Sequence, residues 1–143
     1  IELLMKQINH LIQSRRKLYA QFSQDVYILP NILSENEMDQ EFLQKSIDYI
    51  IQNISDEKLN VEGLSLMLNL NRSNVYRKIK ALTGNSVVEF IRSIRLKQAI
   101  KLMETRKYSL AEIAYQTGFT SPSYFTKMFK RKYGKKPSEY NYS

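Results

Sequence analysis

The sequence predicts an all-α fold, with two helix-turn-helix subdomains joined by a long linker helix and preceded by an N-terminal helical arm. Three observations carry this. First, Ser86 to Thr105, SVVEFIRSIRLKQAIKLMET, lacks Gly and Pro and is rich in helix formers; it is long enough for about five turns. Second, its apolar stripe changes sides midway. At about 100° per residue, Val87, Phe90, Ile91 and Ile94 share one face, and Leu96, Ala99, Ile100 and Met103 take roughly the opposite one, with Leu102 between. A helix at the edge of one core keeps one stripe, so this one reads as a strut between two bodies. The alternative is a helix buried all round in a single core. Third, the flanking segments repeat one pattern, which favours the strut. Asn60, Val61, Leu64 and Leu70 match Ser109, Leu110, Ile113 and Phe119 at an offset of 49. After a short turn the offset is 50: Ser73 with Ser123, Val75 with Phe125, Arg77 with Lys127, Ile79 with Phe129, Lys80 with Lys130, Gly84 with Gly134, Glu89 with Glu139 and Phe90 with Tyr140.

Taken in order, residues 1–25 read as a helix, because Ile1, Leu4, Ile8, Leu11, Arg15, Leu18 and Phe22 recur at spacings of three and four. With Arg15 on the seam this is a weak coiled coil alone. A weak homodimer seam and the tail of a preceding domain both remain open. The chain begins mid-pattern without Met, which is expected of a fragment. Residues 26–36, with Pro30, Asn31, Ser34 and Asn36, read as a linker. Ser34 and Glu37 are spaced as a capping box. The helix that follows carries Phe42, Leu43, Ile47, Ile50, Ile51 and Ile54 on one side and ends near Ser55, with Asp39, Glu41 and Asp48 facing out.

The first repeat, about 60–84, reads as a helix over Val61–Leu68, a turn at Asn69-Leu70-Asn71, and a helix from about Ser73 to Leu82. The linker helix spans 86–105. The second repeat, about 109–134, opens on a Ser109/Glu112 capping box, turns at Gly118-Phe119-Thr120, and continues as a helix over Ser123–Tyr133. Asn69 and Gly118 share a repeat position, and both tolerate the left-handed backbone that a sharp turn needs. Leu70 and Phe119 follow as apolar plugs, and Gly84 and Gly134 stand where helix C-caps belong. Gly63 weakens the first short helix by about 1 kcal/mol relative to Ala.

Charge narrows the partner. The net charge is +8, but residues 1–56 carry 5 basic and 8 acidic side chains and residues 57–143 carry 17 and 6. The basic part points to a polyanion. There is no Cys and one His, His10, which lies off the apolar seam and reads as solvated. A nitrogen- or sulfur-ligated metal site, a cysteine nucleophile and histidine acid-base chemistry are therefore not expected. No glycine-rich phosphate loop and no run of 18 apolar residues occur. No enzyme activity, cofactor or membrane contact is expected of these residues.

The second helix of each repeat concentrates the polar chemistry. With Val75, Ile79 and Leu82 inward, Ser73, Asn74, Tyr76, Arg77 and Lys80 are left toward solvent. With Phe125 and Phe129 inward, Ser123, Tyr124, Thr126, Lys127 and Lys130 are left outside. Short polar groups at a helix N-terminus followed by long cations suit major-groove reading flanked by phosphate contacts. A helical RNA-binding or protein-interaction module is the rival reading. Single-strand RNA readers display aromatic platforms or a GXXG loop, and only Tyr76 and Tyr124 could serve as platforms here.

Residues 37–143 resemble the DNA-binding domain of the AraC/XylS family of transcription regulators, on NRSNVYRKIKALTG, FIRSIRLKQAIKLM and IAYQTGFTSPSYFTKMFKRKYGKKPSEY. The resemblance implies double-stranded DNA as partner and RNA polymerase beside it. It implies base contacts from Ser73, Asn74, Tyr76, Arg77, Ser123, Tyr124, Thr126 and Lys127, and phosphate contacts from Arg72, Lys80 and Lys130. Gly63 departs from the pattern, as does Lys127 where many members have Arg; a Lys lacks the fork for bidentate guanine reading. ELLMKQINHLIQSRRKLYAQFSQD and EFLQKSIDYIIQNISDEKL resemble the output end of hybrid two-component regulators of Bacteroidetes type. That implies a receiver domain whose last helix is residues 1–25, a histidine kinase in the full-length protein, a role as activator, and a cytoplasmic place for this part.

Overall fold

A computed structural model of the protein describes Met5 and residues 37–140. Apart from Met5, the expected arm, the proline linker and Ser34 of the first capping box lie outside the described residues. Those that are described fold as helices alone: α1 Glu37–Gln52, α2 Val61–Leu68, α3 Arg72–Thr83, α4 Val87–Thr105, α5 Leu110–Gln116 and α6 Pro122–Tyr133, then a 3-10 turn Pro137–Glu139.

Caps set these boundaries. The Asn60 side chain accepts from the N–H groups of Glu62 and Gly63, Asn71 from Asn74, and Ser121 from Tyr124. Each satisfies donors that a first helical turn leaves unpaired. Ser86 and Ser109 form full capping boxes with Glu89 and Glu112. Gly84 and Gly134 end α3 and α6 at φ 76°. α1 stops at Gln52, short of Ser55, and just beyond it Asn53 Nδ2 donates to the Tyr49 carbonyl at 2.9 Å. α3 starts at Arg72 rather than Ser73, since Asn71 is its cap.

The repeat survives as hydrogen bonds. At the first turn Asn69 takes φ 55°, and Leu70 N–H donates to the Ser65 carbonyl at 3.1 Å. At the second, Gly118 takes φ 85°, and Phe119 N–H donates to the Ala114 carbonyl at 3.0 Å. The correspondence runs on to the C-terminus. Ser86 N–H donates to Glu89 at 3.4 Å, and Lys136 N–H donates to Glu139 at 3.1 Å. The second copy thus begins another capped element, which lasts one 3-10 turn.

Two cores meet on α4. Val87, Phe90, Ile91 and Ile94 join Phe42, Leu43, Ile47, Ile50, Val61, Leu64, Val75, Ile79 and Leu82. Leu96, Ala99 and Met103 join Ile113, Ala114, Phe119, Phe125, Met128 and Phe129. The switch falls between Ile94 and Leu96, both 1% exposed. Ile100 and Leu102 pack on the second core while partly exposed. The second core is aromatic: Phe125 lies 5.2 Å from Phe119 and 5.8 Å from Phe129, and Tyr140 meets Phe129 edge-on at 5.5 Å.

Of the three acidic residues of α1 expected to face out, one does not. Asp39 is half-buried, not outward, and lies 4.0 Å from the Lys78 ammonium, which itself sits 5.0 Å over the Phe42 ring. Lys78 is therefore spent on docking α3 to α1, a cation–π contact with a charge partner. At Gly63 a Cβ would collide with the Tyr49 hydroxyl. The residue that weakens α2 as a helix leaves room for the Tyr49 side chain of α1.

Candidate nucleic-acid interface

The second helix of each unit, α3 and α6, is distinguished by what it omits. α1, α2, α4 and α5 each carry an acidic residue in the first turn, as the helix dipole favours; α3 and α6 carry none. Their N-termini, capped by the neutral Asn71 and Ser121, carry no carboxylate to repel an external anion. The last turn of α6 adds Lys130, Arg131 and Lys132. This asymmetry is visible in the sequence once boundaries are known, but exposed positions alone do not reveal it.

On α3, Ser73, Tyr76 and Arg77 are exposed and Asn74 is half-buried. The Arg77 guanidinium donates to Asn74 Oδ1 at 2.7 Å, so these two form one polar pair, and the Asn74 backbone N–H donates to Asn71 Oδ1 at 2.8 Å. Arg72 is exposed but ion-paired with Glu62 at 3.1 Å. Lys80 donates to the Gly84 carbonyl at 2.9 Å and caps α3. Both pairings are at the surface, where such contacts contribute little and exchange readily. On α6, Ser123, Lys127 and Lys130 are exposed. Tyr124 and Thr126, expected outside, are half-buried; Tyr124 packs edge-on against Phe119 at 6.0 Å. The aromatic second core reaches under the start of α6 and draws Tyr124 in.

Between the units lies a cleft of about 330 Å³. Tyr76 from α3 and Tyr124 from α6 both line it, with Leu59, Ile91, Arg92 and Arg95. Arg95, which periodicity did not single out, crosses between the units. Its Nη2 donates to the Asp56 carbonyl at 2.6 Å. Its Nε is buried without a hydrogen-bond partner among the described residues. Burial pushes the guanidinium below its ordinary pKa, opposed by Asp56 and Tyr124. A second tie, 3.3 Å from Lys132 Nζ to Ser93 Oγ, joins α6 to α4. Among the described residues no cluster of His, Cys, Asp and Glu could hold a metal, and no helix is long and apolar enough to cross a membrane.

Two capped helix-turn-helix units on one shared helix, each presenting an acid-free helix start, define a class of bipartite DNA-binding domain. Residues 64–142 match the family model described as a helix-turn-helix domain. The chain belongs to the AraC-type helix-turn-helix family of transcription regulators. It is 37% identical over 133 residues to "Histidine kinase P4" of Formosa agariphila, covering 93% of this chain and 10% of that protein. The C-terminal domain of AraT, a response regulator from Geobacillus stearothermophilus, superposes with a TM-score of 0.62 at 26% identity, covering 68% of this chain and 81% of that one. The DNA-binding domain of AdpA, solved with a target DNA, gives 0.61 at 28%, covering 67% and 86%. The chain spans between a tenth and a third of the length of the first curated relatives it matches.

Proposed function

We propose that this chain is the output end of a two-component signalling protein, and that it reads duplex DNA with α3 and α6 in successive major-groove segments. The observation that carries this is the pair of acid-free, cation-bearing helices on opposite halves of one strut. The structural likeness to AdpA, solved on a target DNA, supports the partner. The two-component link is supported by the stretch shared with the Formosa kinase, which is longer than residues 37–143 alone, and by the likeness to a response regulator's C-terminal domain.

In this reading Ser73, Asn74, Tyr76 and Arg77 meet one set of base edges, and Ser123, Tyr124, Thr126 and Lys127 meet another. Arg72, Lys80 and Lys130 meet phosphates, with Arg72 exchanging Glu62 for the backbone. The Arg77–Asn74 pair pre-orders the guanidinium, which limits the side-chain entropy lost on binding. Half-buried Tyr124 offers its ring edge rather than a freely moving side chain. Domain limits follow: an arm at 1–25, a linker at 26–36 and the DNA-binding domain from 37 onward. RNA polymerase contact, a cytoplasmic place and a weak dimer through residues 1–25 belong to the same proposal.

The test is binding to random-pool and genomic duplexes across salt concentrations. With roughly six phosphates neutralised, log K should fall against log salt with a slope of about −5, and a footprint should show two protected segments. A slope shallower than about −2, or preference for single-stranded RNA, overturns the reading in favour of the rival module.

A further inference from the structure

The strut is not the whole connection between the two units. Gly118, the turn of the second unit, is packed so closely on the first that a Cβ there would collide with the Ile54 carbonyl and lie 2.8 Å from Arg95 Nε and 2.9 Å from Arg95 Cζ. Nη2 of the same guanidinium donates to the Asp56 carbonyl. The loop after α1, the strut and the second turn therefore meet on one planar group. From the turn, Phe119 leads to Tyr124, whose ring it contacts edge-on, and Tyr124 shares the cleft with Tyr76 of α3. A helix joined only at its middle can bend and twist; a second contact off its axis removes that freedom.

We propose that Arg95 is a positioning residue: wedged between the Asp56 carbonyl and the Gly118 turn, it locks the relative orientation of α3 and α6 and so sets which half-site spacing the domain accepts. Arg95 needs no contact with DNA for this. Lys in its place supplies one ammonium, which cannot both reach the Asp56 carbonyl and fill the flat space under Gly118. The part concerning spacing rests on the bipartite DNA reading above; the part concerning orientation does not.

Two measurements separate these. The chain has no Cys, so Leu66→Cys on α2 and Tyr115→Cys on α5, positions 83% and 56% exposed, give a unique pair for spin labels in the full 143-residue chain. The parent should give a single narrow distance distribution, broadened or displaced in Arg95→Met and in Arg95→Lys. Helical circular dichroism checks folding, and the Lys variant decides if the Met variant does not fold. On a duplex selected by the parent protein, moving one half-site by a single base pair should weaken the parent by about tenfold but the Arg95 variants by less than about threefold, with the affinity for an isolated half-site unchanged. A distance distribution as narrow as the parent's in the folded variants, or an undiminished spacing penalty, overturns the latch. A parent that binds no duplex removes the DNA reading instead, while the distance measurement still decides the latch.

Discussion

Ser65 and Ala114 hold the same place in the two repeats, and both are buried. Ser65 Oγ has no hydrogen-bond partner among the described residues. A buried hydroxyl left unpaired carries a desolvation cost that Ala does not. Ser65→Ala is therefore expected to raise stability by about 1 kcal/mol, seen as a higher urea midpoint at unchanged slope. A lower midpoint would show that the hydroxyl is satisfied. Arg77 and Lys80, one turn apart, should fail differently. Arg77→Ala should cost about 1–3 kcal/mol on the preferred duplex and relax preference at one base position. Lys80→Ala should weaken all duplexes alike and lower the salt slope by about one. Because Lys80 also holds the Gly84 carbonyl, it should lose a few tenths of a kcal/mol of stability as well. Equal, sequence-independent losses from both would remove Arg77 as a reader.

At the scale of the element, α4 is two half-helices that share a backbone. Its start is fixed by Ser86, whose hydroxyl and N–H donate to Glu89 and hold that carboxyl below the usual carboxylate range. A depressed folded pKa means this contribution is full above the unfolded value and is lost as pH falls through the lowered one. Ile94 and Leu96 then test the switch. They are two residues apart, about 200° around the helix, and each is buried in a different core. Truncating either to Ala should cost about 2–5 kcal/mol. Hydrogen exchange should rise in α1 to α3 for Ile94→Ala and in α5 and α6 for Leu96→Ala; identical exchange maps would mean one cooperative core. The flip was legible in the sequence because apolar phase along a helix is local information, as were the Ser109-Glu112 box and the left-handed Asn69 and Gly118; the Ser86-Glu89 box, equally local, was not read there. Arg95, Lys78 and the sinking of Tyr124 were not. Periodicity says which side of a helix a residue faces, but not what another element brings to that side. Arg95 meets Asp56 across 39 positions of sequence.

For the whole molecule the question, on the proposed reading, is how two fixed readers meet a helical ligand. α4 has 19 residues, about 28 Å at 1.5 Å per residue. Readers in consecutive major-groove segments on one face of B-form DNA sit about 34 Å apart, or the duplex bends to bring the segments to them. The two readers are unlike: Arg77 is a planar fork held by Asn74, and Lys127, at the matching position, is a point charge. Their half-sites should therefore differ rather than form a palindrome, and exchanging the two half-sites should weaken binding as much as scrambling one of them. Inserting five base pairs between the half-sites turns one of them to the far side of the duplex. Each unit is pinned to its own half of the strut by a separate core, and the Lys132–Ser93 and Arg95–Asp56 bonds oppose rotation about it. Neither unit can then follow a displaced half-site. Affinity measured by titration on the spaced duplex should fall to that of one unit plus the sequence-independent phosphate contribution. The salt slope should shrink too, because the second unit's cations no longer reach the backbone. If affinity and slope are instead unchanged by five base pairs, the units read independently or only one of them reads, and a rigid two-headed geometry cannot be what gives the domain its specificity.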